Sequence, residues 1–189
     1  FKPNMLDLAV SYMLPLSITG IAGAPADVSK APGTGTALLH IIGNPLAGNY
    51  DVEGYFYHPT VPRAFTRTGG AAFLTPVSDK ALYSELGDLG TAGYYAVFSV
   101  PDPFATTIQN VTISVYPGSI SPVYQWDTGL PTTTGVPTGP IYTPAPLPDW
   151  GKSGQCNNTY NPATKTFYLR YGYLGGSGWR VTEEIIRKL

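Results

Sequence analysis

An α-helix of ordinary length has almost nowhere to sit in this chain, because 22 glycines and 19 prolines interrupt its 189 residues. Glycine costs backbone entropy in a helix, and proline lacks the amide donor and clashes with the preceding turn. Both suit turns, and here they separate runs rich in Tyr, Phe, Val and Thr, which favour pleated strands. An all-β, antiparallel chain is the expectation. Aromatic residues make up 13% of the sequence and fall along alternating segments, which sets the chain apart from a disordered Pro/Gly-rich polymer.

The strands can be placed by their period of two. In LAVSYMLPLSIT, Leu8, Val10, Tyr12, Leu14, Leu16 and Ile18 share a face, and Pro15 places the strand at an edge or bulge. TALLHII, residues 36–42, is a second short strand. In GNYDVEGYFYHP, Tyr50, Val52, Gly54 and Phe56 face one way and Asp51, Glu53, Tyr55 and Tyr57 the other, with Pro59 and Pro62 ending the run. AFLTPVS is a weak strand near Phe73 and Leu74, KALYSEL reads as either a strand or one helical turn, and GDLG is a turn. GYYAVFSV and NVTISVYP form a hairpin with Ala96, Phe98, Val111, Ile113 and Val115 inward. TKTFYLRYGY sets Phe167, Leu169, Tyr171 and Tyr173 on a core-facing row, with Thr166, Tyr168 and Arg170 opposite. GGSG then returns Trp179 and Val181 to cover the same region. The organisation expected is a strand and linker over 1–43, a β-domain over 44–189, and a Pro-rich surface excursion at 129–154. A small antiparallel barrel is favoured because closure removes exposed edges, with a two-sheet sandwich as the alternative.

Charge narrows the function. Eleven basic residues against twelve acidic give a net charge of -1, which supplies no field to hold a polyanion, so nucleic acid is not an expected partner. Cys156 is the single cysteine, so neither an internal disulfide nor a cysteine metal cluster can form. No apolar run reaches the roughly 20 residues of a membrane helix. The chain opens at Phe1 without a Met or a leader, which reads as a mature or trimmed product.

Catalytic patterns are absent. The two histidines, His40 and His58, have no nucleophile elbow beside them; His40 reads as a structural residue of an apolar strand and His58 as turn chemistry before Pro59. Their spacing fits no zinc motif, and there is no EF-hand, P-loop or dinucleotide fingerprint, so no cofactor or metal is expected. Asp51 with Glu53 share a face and Glu183 with Glu184 oppose each other; both pairs read as sheet-surface residues rather than as a glycosidase acid and base. Stacking is the better supported chemistry. Sugar rings offer apolar C–H faces to aromatics and hydroxyls to polar side chains, and Trp126, Asp127, Tyr142, Asp149 and Trp150 form the candidate ligand-binding set.

The segments NYDVEGYFYHP, GDLG with GYYAVFSV, NVTISVYP, and YNPATKTFYLRYGY followed by WRVTEEIIRKL resemble, in order, the C-terminal domain of surface or periplasmic lipoproteins of unknown function from Bacteroides and relatives. The likeness covers most of residues 48–189, and LAVSYMLPLSITG looks like the last strand of the immunoglobulin-like domain that commonly precedes it. The resemblance implies a barrel of lipocalin or calycin type. It also implies a noncatalytic accessory of a polysaccharide-uptake system at the outer-membrane surface or in the periplasm, held by a lipid anchor outside this chain. Its implied partners are a polysaccharide or oligosaccharide and outer-membrane uptake proteins. A structural or protein-interaction module of a surface assembly is the alternative, with a glycoside hydrolase third. Two departures stand out: the leading domain is reduced to its tail, and the Pro-rich excursion is long.

Overall fold

The computed structural model of the chain describes residues 12–17, 36–41, 43–126 and 150–189. Strands β1 (Tyr12–Ser17) and β2 (Thr36–Ile41) pair antiparallel, Tyr12 opposite Ile41 and Ser17 opposite Thr36. Pro15 lies opposite Leu38 in this pair. A sheet of two strands has only edges, and there a missing amide donor is tolerated.

The remaining strands form one antiparallel sheet rather than the two of a sandwich. They are β3 (Gly48–Tyr57), β4 (Arg63–Pro76), β5 (Ala81–Glu85), β6 (Tyr95–Ser99), β7 (Gln109–Asn110), β8 (Thr112–Val115), β9 (Tyr124–Gln125), β10 (Thr159–Asn161), β11 (Thr166–Gly175) and β12 (Gly178–Lys188). Their order is β7-β10-β11-β12-β3-β4-β5-β6-β8, with β9 beside β11. The two ends of that order, β7 and β8, are consecutive pieces of one segment split at Val111. β7 pairs with β10 and β8 with β6, while the Val111 amide donates to the Asn158 carbonyl at 2.8 Å. One short stretch therefore joins both edges, and the sheet becomes a nearly closed antiparallel barrel.

The inner wall is apolar and aromatic. Tyr50, Val52 and Phe56 from β3 meet Phe98 from β6, Ile113 from β8, and Phe167, Leu169, Tyr171 and Tyr173 from β11 in a single buried cluster. The expected inward row of β11 is thus present, as is the pairing of β6 with β8, although Val115 ends its row 43% exposed. Trp179 and Val181 differ from expectation. They pair with Leu174 and Gly172 and so lie on the outer face, in a second buried cluster with Tyr55, Tyr57, Trp126, Trp150, Cys156 and Ile185. Directly paired residues of a hairpin share a face, so the partners of outward Leu174 and Gly172 are outward too.

β4 is longer than the weak strand expected near Phe73. It begins at Arg63 and pairs with β3 on both sides of a β-bulge, where the register shifts between Tyr50 and Val52 and Gly69 and Gly70 take φ of 73°. Extra residues in one strand bend it, and here the bend lets β4 curve around the barrel. KALYSEL resolves as strand β5, and GDLG as a 3₁₀ turn at Gly87–Leu89.

Gly54 marks a close approach between neighbouring strands. A Cβ there would stand 2.4 Å from the Phe65 ring and 2.5 Å from the Glu183 carbonyl oxygen, which belongs to the neighbouring strand's backbone. Gly54→Ala is expected to lower stability by about 1–3 kcal/mol through overpacking. Gly176→Ala, where nothing lies within 4 Å, is expected to be near neutral. Urea unfolding of the two variants checks this; equal midpoints for both would contradict it.

Candidate functional site

A groove opens along the seam between β4 and β5. These strands pair only at Thr75 with Tyr83 and Pro76 with Leu82, so the rest of β4 leans away from β5. Arg67 spans the gap, donating to the carbonyls of Ala71 at 2.7 Å and Gly87 at 3.3 Å, 4.0 Å from the Glu85 carboxylate. On one side lies a cavity of about 240 Å³ walled by Arg67, Phe73, Thr75, Tyr83, Glu85 and Tyr95.

Tyrosines make this wall. Tyr83 of β5 stacks on Tyr116 with ring centroids 4.4 Å apart at 16°, and Tyr95 of β6 meets Tyr83 edge-on at 5.8 Å. All three rings are partly exposed, and Phe73 beside them is 50% exposed. The Tyr95 hydroxyl donates to Glu85 at 3.4 Å; loss of water and the nearby Glu85 charge hold that phenol above its ordinary pKa, so it stays a donor. Aromatic faces thus stand beside a guanidinium, a carboxylate and a hydroxyl. That combination stacks on an apolar ring face while hydrogen-bonding the groups at its rim. Sequence reasoning missed these residues. GYYAVFSV already set Tyr95 opposite Phe98, but Tyr83 had no face until KALYSEL was known to be a strand.

On the other side of Arg67 is a second cavity, about 380 Å³, bordered by Phe65, Thr66, Gly87, Asp88, Gly90 and Thr91. Behind Gly87 lies Glu184, fully buried inside the barrel and hydrogen-bonded by the Tyr171 hydroxyl at 2.8 Å. Gly87 is needed here because a Cβ would stand 2.1 Å from Glu184 Oε2. Burial pushes the Glu184 carboxyl up to about 7, with the Tyr171 hydrogen bond and Arg67 acting in the opposite direction.

The neighbouring carboxylate faces the other way. Glu183 is buried on the outer face, ion-paired with Arg170 and accepting the Tyr57 hydroxyl at 2.7 Å. Opposite faces of one strand cannot present these two groups to a common glycosidic bond. Asp51 accepts the Gly70 amide, and Glu53 is bridged by Lys152 and Arg187. His58 is a turn residue, its Nδ1 accepting the amides of Thr60 and Val61, each at 3.2 Å. His40 lies opposite Met13 in the two-stranded sheet. Among the described residues no group of three His, Cys, Asp or Glu is arranged to hold a metal, and no helix is long and apolar enough to cross a membrane.

Of the set expected to bind ligand, Trp126 and Trp150 are placed together in the outer cluster, 4% and 8% exposed, with Trp126 5.1 Å from the Trp179 ring. Asp127, Tyr142 and Asp149 lie outside the described residues, as does most of the Pro-rich excursion. Trp150, near its end, and Cys156, just after it, join the cluster over the outer face of β12.

No family model matches the chain, and no curated protein matches it. Among solved structures, the crystal structure of an auxiliary nutrient binding protein from Bacteroides thetaiotaomicron aligns over 96% of this chain and 58% of that one, at 14% identity and a TM-score of 0.37. The chain thus spans less than two thirds of that protein's length.

Glu184 gives a signed pH prediction. Its folded pKa of about 7 lies above its ordinary 4.5, so the folded chain holds this proton more tightly than the unfolded one. The stability it contributes is complete below about 4.5 and is lost as pH rises through about 7. Glu184→Gln removes that loss. The unfolding free energy of the variant minus that of the parent is expected to be flat below pH 4.5 and to climb by pH 8, by on the order of 3 kcal/mol at most. The shifts of Glu53 and His58 are common to both proteins and cancel. Urea titrations at several pH values test this, and a difference independent of pH would contradict it.

Proposed function

We propose that this chain is a noncatalytic carbohydrate-binding module, and that the tyrosine-walled groove between β4 and β5 is where a sugar stacks. The observation that carries this reading is the Tyr83, Tyr95 and Phe73 wall beside the Arg67 and Glu85 pair, 4.0 Å apart. A pyranose offers an apolar face to Tyr83 and hydroxyls to a donor and an acceptor at the same rim. Charged hydrogen bonds of this type are the stronger ones and set orientation. Opposed faces for Glu183 and Glu184 favour binding over hydrolysis.

The resemblance to Bacteroides surface lipoproteins extends this reading: a barrel of lipocalin or calycin type, lipid-anchored in the full-length protein at the outer-membrane surface or in the periplasm, delivering polysaccharide or oligosaccharide to outer-membrane uptake proteins. The set Trp126, Asp127, Tyr142, Asp149 and Trp150 is the second, alternative surface for the same ligand class. A protein-interaction module is favoured by a different observation, the exposure of Phe73, Val77 and Val115 at 50%, 49% and 43%, which leaves apolar side chains on the wall that carries the groove.

A glycan array probed with the intact protein separates these readings. Tyr83→Ala is expected to weaken binding of the folded protein at least about tenfold, a loss near 1.4 kcal/mol, while lowering stability by about 1–2 kcal/mol through the lost contacts with Tyr116 and Tyr95. Trp150→Ala, which empties part of a buried cluster, is expected to cost about 3–5 kcal/mol of stability and to leave the affinity of the folded fraction unchanged. Affinity lost in folded Trp150→Ala but retained in Tyr83→Ala moves the site to the second surface. No binding across the array, with association to a surface protein that Phe73→Ser abolishes, establishes the interaction module instead.

A further inference from the structure

The end of the barrel where β3 and β11 finish and β4 and β12 begin carries charged side chains that the groove does not use. Arg63 opens β4, and its guanidinium takes both oxygens of Asp88, Nε donating to Oδ1 at 3.1 Å and Nη2 to Oδ2, while lying 5.0 Å from the Phe56 ring centroid. Asp88 is therefore committed. Arg180, near the start of β12, has a different set of neighbours. Its guanidinium lies 5.6 Å from the Tyr173 ring centroid, Nη1 reaches the Tyr173 hydroxyl at 3.4 Å, and Nε is buried without an acceptor. Among the described residues no carboxylate lies within ion-pair distance of it.

His58, which follows β3, belongs to the same cluster. The Thr60 and Val61 amides both donate to its Nδ1, so the neutral ring carries its proton on Nε2 and is a donor there. Its ionisation reports the local field. Loss of water holds His58 below the ordinary histidine range, and Arg180 and Arg63 push it further down, with Asp88 alone opposing. Tyr173 from β11 and Tyr94, whose rings lie 4.9 Å apart, line the apolar side. On a chain of net charge -1, this end of the barrel is locally cationic and holds one guanidinium whose charge no described carboxylate balances.

We infer that this end of the barrel binds a carboxylate-bearing small ligand, with Arg180 as the anchoring guanidinium and His58 and Tyr173 beside it. A planar guanidinium already stacked over Tyr173 is held in place for a carboxylate, so little rotamer freedom is lost on binding. A carboxylate here supplies the counter-charge that Arg180 lacks among the described residues, and offsets the two arginines acting on His58. The same chemistry is offered by an acidic sugar and by a free carboxylate. The site uses none of the groove's tyrosines, so it stands or falls independently of the sugar-binding groove.

Proton NMR of His58, assigned apart from His40 with a His58→Gln variant, tests the inference on the intact chain. Methyl glucuronide is expected to move the His58 resonances saturably and to raise the pH midpoint of their titration, whereas neutral methyl glucoside does neither. Acetate moving His58 as far as the glucuronide identifies a free carboxylate as sufficient; a response to the glucuronide alone identifies an acidic sugar. Arg180→Met, which keeps the stem packed on Tyr173, is expected to weaken the response at least about tenfold, and Tyr83→Ala to leave it intact. An equal response to the neutral glycoside, an undiminished response in folded Arg180→Met, or no response to any carboxylate up to about 50 mM, far above a millimolar Kd, overturns the inference. The comparison of the two glycosides on the unmutated chain needs no variant to fold.

Discussion

Two adjacent glutamates, buried on opposite faces of one strand, hold this barrel in register. β11 and β12 pair from Thr166 with Arg187 to Gly175 with Gly178, and both faces of the hairpin are covered, one by the barrel interior and the other by the outer aromatic cluster. A hairpin covered on both faces loses the usual distinction between an apolar and a wet side. Polar partners supply it instead: Glu183 finds Arg170 and Tyr57 outside, and Glu184 finds Tyr171 inside. A slip of one residue would exchange the faces and leave two buried carboxylates without donors, at a cost larger than any packing gained. β3 builds on β12, and β9 and β10 both build on β11, so the register set by these two carboxylates is inherited by three neighbouring strands or strand pieces.

Burial on two faces also explains the composition. Only 12% of the chain is charged, because the strands with the most neighbours have little surface on which to place charge. It also consumes aromatics. Trp126, Trp150 and Trp179 all pack in the outer cluster, where their area stabilises the sheet. Among the described residues the opposite wall, β4 to β6 with β8, carries no such aromatic cluster, and there Tyr83, Tyr95, Tyr116 and Phe73 keep exposed area. Aromatic density in the sequence therefore points to the core, whereas isolated tyrosines on a thinly covered wall point to the surface.

Local alternation carried much of the fold. The faces of GNYDVEGYFY, GYYAVFSV and TKTFYLRYGY were legible because a period of two needs only neighbours in sequence. Three features needed partners that sequence order does not reveal. β4 reads as polar and Gly-broken, and is a strand because β3 offers it a register on both sides of a bulge. The segment from Gln109 to Val115 closes the barrel because its halves pair with different strands. Trp179 covers the outer face because pleat parity carries through the turn. The groove was hidden for the same reason: Arg67, Glu85, Tyr83 and Tyr95 come from three strands, and none of them stands out within its own segment.

A filled interior decides what kind of binding this barrel supports. Counting β7 with β8 and β9 with β10, eight strand positions surround the axis, a size whose interior is just wide enough for side chains to fill or for one small ligand to occupy. Here the rings of Tyr50, Phe56, Phe98, Phe167, Tyr171 and Tyr173 take that space, with Tyr50 and Phe98 each 6.1 Å from a ring of β11. Emptying it would expose two to three large side chains to a void, each worth about 3–5 kcal/mol, comparable to the whole stability of a domain this size. An enclosed ligand is therefore disfavoured on energetic grounds. Binding by such a barrel falls to the walls and rim, where a ligand is touched on one side only. A shallow groove is what such a surface can offer, and the apolar contact it presents comes from the few aromatics that the core has left outside.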